Sequence, residues 1–173
     1  MNYESTGLPD LLVPGLTVVF CGLNPGLESA LEQKPFFNRS NRFWRTLFLS
    51  GFTTVEIDPE DHVRILQFGC GMTTAVQRAT SSARDVSVDE YRSAARALEA
   101  KILQCSPKYI AFLGKSAYAA ITEQRNVAWG LQPDSFGGAQ VWVLPNPSGR
   151  NRSFTLSRLV EAYKLLRLAA LEN

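Results

Sequence analysis

A single histidine, His62, in a chain of 173 residues leaves little room for imidazole chemistry. It lies in the polar stretch 59–64 and reads as a surface residue, so Ser-His-Asp and Cys-His mechanisms have no natural centre. The three cysteines, Cys21, Cys70 and Cys105, show no CxxC spacing, and HxxxH is also absent. A structural zinc site and a four-cysteine iron–sulfur cluster are thereby excluded, and no metal ligand set remains. Three thiols cannot all pair, and each sits in or beside an apolar stretch, as reduced buried thiols do. No apolar run approaches the roughly 20 residues of a membrane span. The opening MNYESTGLPD lacks the basic-then-apolar pattern of a secretion signal, so a cytoplasmic address and no membrane partner are expected. Phosphate-cradling GxxxxGK[ST] and GxGxxG loops are missing, which counts against an enzyme acting on free nucleotides. No repeat or linker interrupts the chain, and residues 1–173 are expected to form one domain.

Charge is scarce too. Eighteen Lys and Arg face sixteen Asp and Glu, a net +2, too small to announce a nucleic-acid partner by itself. Its distribution says more. From residue 141 onward Arg150, Arg152, Arg158, Lys164 and Arg167 face only Glu161 and Glu172, a local basic edge suited to brief phosphate contact.

What is present is an alternation of apolar strands and amphipathic helices. Residues 16–22, 109–113 and 140–144 read as buried strands, with a weaker strand or turn at 65–70. Ser40 is placed to cap a helix carrying Phe43, Trp44, Leu47 and Phe48, stopped by Gly51. Ser87 and Glu90 form a capping-box pattern ahead of Tyr91, Leu98 and Ile102, and Pro107 ends that helix. Helices are also expected from Gly114 to about Thr122 and over 156–168. This pattern predicts an α/β sandwich around a mostly parallel sheet covered on both faces. Ligands in such folds gather beyond the carboxyl ends of the strands, here after Phe20, Leu113 and Leu144.

Two Asn-Pro loops stand at those exits: GLNPG at 22–26 and PNPSGRNR at 145–152. Either alone is an ordinary turn. With the aromatic segment PFFNRSNRFW at 35–44 they suggest one pocket with an aromatic wall. GLNPG and NPSG resemble the two signature motifs of the mismatch-specific uracil-DNA glycosylase and thymine-DNA glycosylase family. The likeness extends through NRFW at 41–44, LGK at 113–115, WG at 129–130 and LVEAY at 159–163, spanning roughly residues 12–168.

The resemblance implies a three-layer α/β/α sandwich and a monofunctional glycosylase that flips uracil from a mismatched duplex and hydrolyses its N-glycosidic bond. Ethenocytosine and thymine are further candidate substrates. The partner is double-stranded DNA bearing a mismatched or damaged pyrimidine; a monomer is expected and no cofactor is called for. Asn24 would hold the attacking water, since an amide can orient water but is no general base near neutral pH. Its bland role is to close the turn before Pro25. Phe36 would stack on the flipped base or serve as core. Backbone amides at Leu23 and Phe36 would read the base edge, with Gly26, Ser29 and Asn146 as further contacts.

Ser148, Gly149, Arg150, Asn151 and Arg152 resemble the loop that fills the vacated stack. Arg150 stands where a family pattern has leucine, and both arginines could instead be merely solvated. Lys115 would meet DNA backbone or sit as an exposed first-turn lysine. Thr74 replaces a lysine or asparagine of some relatives and changes the site's polarity. Asp85 is a second means of activating water, against a capping or surface role. A mismatch sensor without turnover is the alternative reading of the same residues.

Overall fold

The structure is a computed structural model, and it describes residues 7–172. Five strands form one sheet in the order β2-β1-β3-β5-β4. They are β1 (Val18–Gly22), β2 (Cys70–Thr74), β3 (Tyr109–Leu113), β4 (Gly130–Phe136) and β5 (Ala139–Leu144). The first three and β5 run parallel, and only β4 is antiparallel, paired with β5. Every residue of β1 and β3 is buried, as a sheet covered on both faces requires.

The covering helices are α1 (Leu27–Glu32), α2 (Phe43–Leu49), α3 (Val88–Cys105), α4 (Lys115–Thr122) and α5 (Leu156–Glu172). Side chains alternate across β1. Val19 and Cys21 join Leu98, Ile102 and Tyr118 of α3 and α4, whereas Val18 and Phe20 join Phe43, Leu47, Leu159 and Tyr163 of α2 and α5. The result is the three-layer sandwich expected. From β1 the chain moves outward to β2, then crosses back to β3 on the other side of β1. That reversal opens a crevice at the carboxyl end of the β1–β3 pair.

The three strongest strand expectations hold, with β1 starting at Val18 rather than residue 16. At α3 the Ser87 hydroxyl accepts from Glu90 N at 3.1 Å, as the capping pattern predicts. Ser40 does not cap α2. The N-cap is Arg42, Phe43 N donates to Asn41 Oδ1 at 2.9 Å, and Ser40 Oγ turns to Asn38 instead. Of the two options at 65–70 the turn holds: a 3-10 stretch covers Pro59–Phe68, Gly69 turns the chain, and β2 begins at Cys70. Gly69 in a left-handed conformation (φ 70°) ends that stretch and redirects the chain into the sheet. Besides β2, two further labelled elements were not foreseen. Helix α1 has six residues, and β4 carries Pro133, which an edge strand tolerates because one side of its backbone needs no partner.

Candidate active site

A cavity of about 700 Å³ opens where β1, β2 and β5 end, within the size range of small-ligand sites. Gly22 closes β1, and Leu23, Asn24, Pro25 and Gly26 turn the chain into α1 along the cavity wall. The side-chain amide of Asn24 is held from one side. Its Nδ2 donates to Arg78 O at 2.9 Å, to Thr80 Oγ1 at 2.7 Å and to Pro25 O at 3.3 Å. Thr80 cannot return a proton, because its hydroxyl donates to Ser82 O at 2.7 Å. The flip of the amide is therefore fixed, and Oδ1 keeps its lone pairs with no partner among the described residues.

Asn146 is fixed in the opposite sense. Its Oδ1 accepts from Ser148 N at 2.8 Å, the turn expected of asparagine before a reversal, and its Nδ2 is left without a partner among the described residues. Among the described residues the cavity wall thus contains a free amide acceptor on Asn24 and a free amide donor on Asn146, and nearer the loop a free acceptor on Asn151 and a free donor on Asn41. A third polar group is Thr74 Oγ1, shielded from solvent and without a hydrogen-bond partner among the described residues. Such a group is costly to leave unmatched, and because it is shielded from solvent a ligand reaches it only if its surroundings shift.

The aromatic wall is Phe36, whose ring stacks on Phe43 with centroids 4.0 Å apart and planes inclined at 23°. Its backbone is left-handed (φ 54°), an unfavourable conformation for a bulky residue. Neighbours enforce it: Trp44 Nε1 donates to Pro35 O at 3.1 Å, and Phe37 N donates to Ser29 Oγ at 3.2 Å. Buried Ser29 thus braces the aromatic segment from α1.

Opposite lies the loop 145–154. Gly149 packs so closely on Ser40 that a Cβ would stand 2.6 Å from Ser40 Cβ. Asn151 Nδ2 donates to Asn146 O at 2.9 Å, and Ser148 Oγ accepts from Arg150 N at 3.2 Å. The Arg150 guanidinium reaches from this loop to Ser81 O at 3.1 Å; both residues line the cavity. Arg152 is exposed, and its side chain has no partner among the described residues.

Not every expected residue reaches the cavity. Asp85 is exposed at the end of the 3-10 turn Ala83–Asp85 and is not part of the wall; its carboxylate accepts from Ser81 Oγ at 3.4 Å. Lys115 opens α4 with its ammonium 4.4 Å from the centre of the Trp129 ring, beside a smaller cavity of about 380 Å³. Leu23, Asn146 and Asn151 line both cavities.

The sequence reading missed four participants. Arg78 and Thr80 set the Asn24 amide, and Arg42 grips the 145–154 loop. Asp10, which also lines the main cavity, accepts from Thr73 Oγ1 at 2.7 Å and pairs with Lys101 at 2.7 Å. Only Arg42 stood inside a quoted motif; the others depend on backbone carbonyls or distant partners that no local pattern reveals. Cys21 and Cys70 stay out of the chemistry, since burial pushes both thiols up, Cys70 to about 12. The family model described as the uracil DNA glycosylase superfamily matches residues 9–167.

Proposed function

The chain belongs to the uracil DNA glycosylase superfamily, and from that premise we propose that it is a monofunctional, mismatch-directed glycosylase. It excises uracil opposite guanine, and ethenocytosine or thymine as secondary substrates, by hydrolysis of the N-glycosidic bond. The observation that carries this reading is that the amides of the two Asn-Pro loops are held in opposite senses on one cavity wall, leaving Oδ1 of Asn24 and Nδ2 of Asn146 unpaired among the described residues.

The chemistry follows from charge. Breaking the bond at C1′ leaves oxocarbenium character on the sugar and negative charge on the departing base. Asn24 Oδ1 accepts a hydrogen bond from water and orients its oxygen toward C1′, without taking the proton in the manner of a carboxylate. Asn146 Nδ2 donates to the base as negative charge grows there, the kind of contact that favours the transition state over the ground state. Phe36, backed by Phe43, supplies a stacking face, typically worth about 1–3 kcal/mol and tolerant of base identity.

Selectivity then rests on the duplex. Extruding a nucleotide costs a few kcal/mol and least at a mismatch, so a slow enzyme with a tolerant pocket acts preferentially where pairing is already weak. Arg150 leaves Ser81 to enter the vacated stack, while Ser148, Gly149, Asn151 and Arg152 follow the backbone, and Lys115 meets the neighbouring phosphates. The site works as one domain and one copy.

The test is single-turnover cleavage of a labelled duplex with one uracil opposite guanine or adenine, comparing wild type with Asn24→Ala. Alkali-labile cleavage that favours the guanine mismatch and is lost in the variant supports the proposal. Mismatch-selective binding without cleavage makes the protein a sensor.

A further inference from the structure

Among the described residues Arg42 has no carboxylate partner, yet four of the five N–H donors of its guanidinium are engaged. Nη1 donates to Phe154 O at 2.6 Å, Nη2 to Ser148 O at 2.8 Å and Asn151 O at 3.0 Å, and Nε to Pro147 O at 3.3 Å. Its own backbone N–H also donates to Pro147 O, at 3.0 Å. One side chain therefore ties together four carbonyls spread over eight residues of the loop, from the turn that carries the aromatic wall. All four are main-chain groups, so the grip does not depend on the identity of the loop side chains.

Other carbonyls of the loop are occupied as well. Pro145 O accepts from Tyr163 OH at 3.0 Å, Asn146 O from Asn151 Nδ2, Arg150 O from Arg152 N, and Ser153 O from Arg158 Nη1 at 2.8 Å. Among the described residues, only the Gly149 and Arg152 carbonyls of the loop have no intramolecular hydrogen-bond partner. A loop that approaches a polyanion is better served when its carbonyl oxygens are engaged within the protein and its cationic side chains are free to face outward. A guanidinium suits this task because its donors form a planar, rigid fork, whereas an ammonium offers three donors around one point.

We propose that Arg42 is the positioning residue for duplex opening: it holds the 147–154 loop in the shape that displaces a base, and takes no part in bond cleavage. This inference rests on the glycosylase reading. It predicts a loss that scales with the work of extrusion rather than a uniform loss. Opposite guanine the loop must replace a stacked, partly paired nucleotide. Opposite an abasic site there is no pairing partner to replace.

The experiment measures single-turnover excision of uracil opposite guanine and opposite an abasic site, for wild type, Arg42→Gln and Arg42→Lys. Backbone amide exchange of residues 148–152 is followed in the same proteins. Arg42→Gln should lose about 10-fold or more against guanine, the effect of a few charge-assisted bonds, but less than about 3-fold opposite the abasic site. Arg42→Lys should recover part of the difference. Loop amides should exchange faster in Arg42→Gln while those of β1 and β3 do not change. Equal losses on both substrates, or unaltered loop exchange, would overturn the proposal. If Arg42→Gln does not fold, the same ratio in Arg42→Lys decides. A wild type inactive on both substrates counts against the glycosylase reading, and loop exchange then decides the role of Arg42 independently.

Discussion

Asn24 Nδ2 lies 2.7 Å from the hydroxyl oxygen of Thr80, a residue on a different loop 56 positions away in the chain. Because Thr80 spends its own proton on Ser82 O, it acts on Asn24 only as an acceptor. That relay leaves Oδ1 of Asn24 as the amide's free acceptor, and it places the orientation on which the proposed water-holding role depends under the control of a residue outside the motif.

Removing the amide should therefore cost far more than loosening it. Asn24→Ala is expected to lose about 100-fold or more in single-turnover rate, the usual scale for a positioned catalytic group. Thr80→Val should lose about 10-fold, because Arg78 O still holds Nδ2. Asn24→Asp should also be slower than wild type near neutral pH, since an oxygen would then face Arg78 O. An Asn24→Asp variant faster than wild type would refute this account of the amide.

Asn146→Asp separates the two ends of the second amide. It keeps an oxygen for Ser148 N and so preserves the turn, but it removes the Nδ2 donor and adds a negative charge beside a leaving anion. The expected outcome is a rate loss of about 100-fold with little change in melting temperature. A matching fall in both would show that Asn146 only shapes the loop.

Phe36 combines a functional ring with a strained backbone (φ 54°). Phe36→Ala and Phe36→Gly should both weaken binding of uracil-containing DNA, by a factor of about 5 to 100. They should differ in stability, with glycine about 1 kcal/mol better because it adopts a left-handed conformation freely. Denaturant titration of the two variants checks the difference, and equal midpoints with equal slopes would contradict it.

Asp85 stands outside the cavity wall, so Asp85→Asn should retain the single-turnover rate of wild type within about 2-fold, as surface substitutions do. A large loss in this variant would bring a carboxylate back into the mechanism.

Burial raises the Cys21 and Cys70 thiols above their ordinary value of 9.0. In the unfolded chain these thiols ionise above about that value, while in the fold they stay neutral. Their contribution to stability is therefore complete below pH about 8.5 and declines as pH rises beyond it. Thermal melts between pH 7 and 10.5 should show this decline, reduced in a Cys21→Ala, Cys70→Ala double variant. Native protein at pH 8 should leave both thiols unreacted with an alkylating reagent until it is unfolded.

The legible part of the fold was the part governed by local pattern. Strands β1, β3 and β5 are short, apolar and bounded by Gly or Pro, and α3 begins with a side-chain cap that needs only its own residues. Strand β2, with the sequence CGMTT, has no such signal; it is a strand because β1 pairs along its whole length. The misread helix start at Ser40 has a similar cause. Asn41 competes successfully for Phe43 N, and Ser40 is drawn to Asn38 Oδ1.

By itself the sequence determined the layered α/β architecture and two Asn-Pro turns at strand exits with an aromatic segment between them. Those properties belong to residue type and spacing, which hydrophobic periodicity and turn preference express locally. Tertiary structure alone decided which way each amide faces, that Asp85 stays outside the wall, and that Arg42, from outside the loop, bonds to four of its carbonyls. Hydrogen-bond orientation depends on carbonyls and hydroxyls brought together from distant parts of the chain. Arg78 and Thr80 reach Asn24, and Phe154 reaches Arg42, only after the sheet has closed.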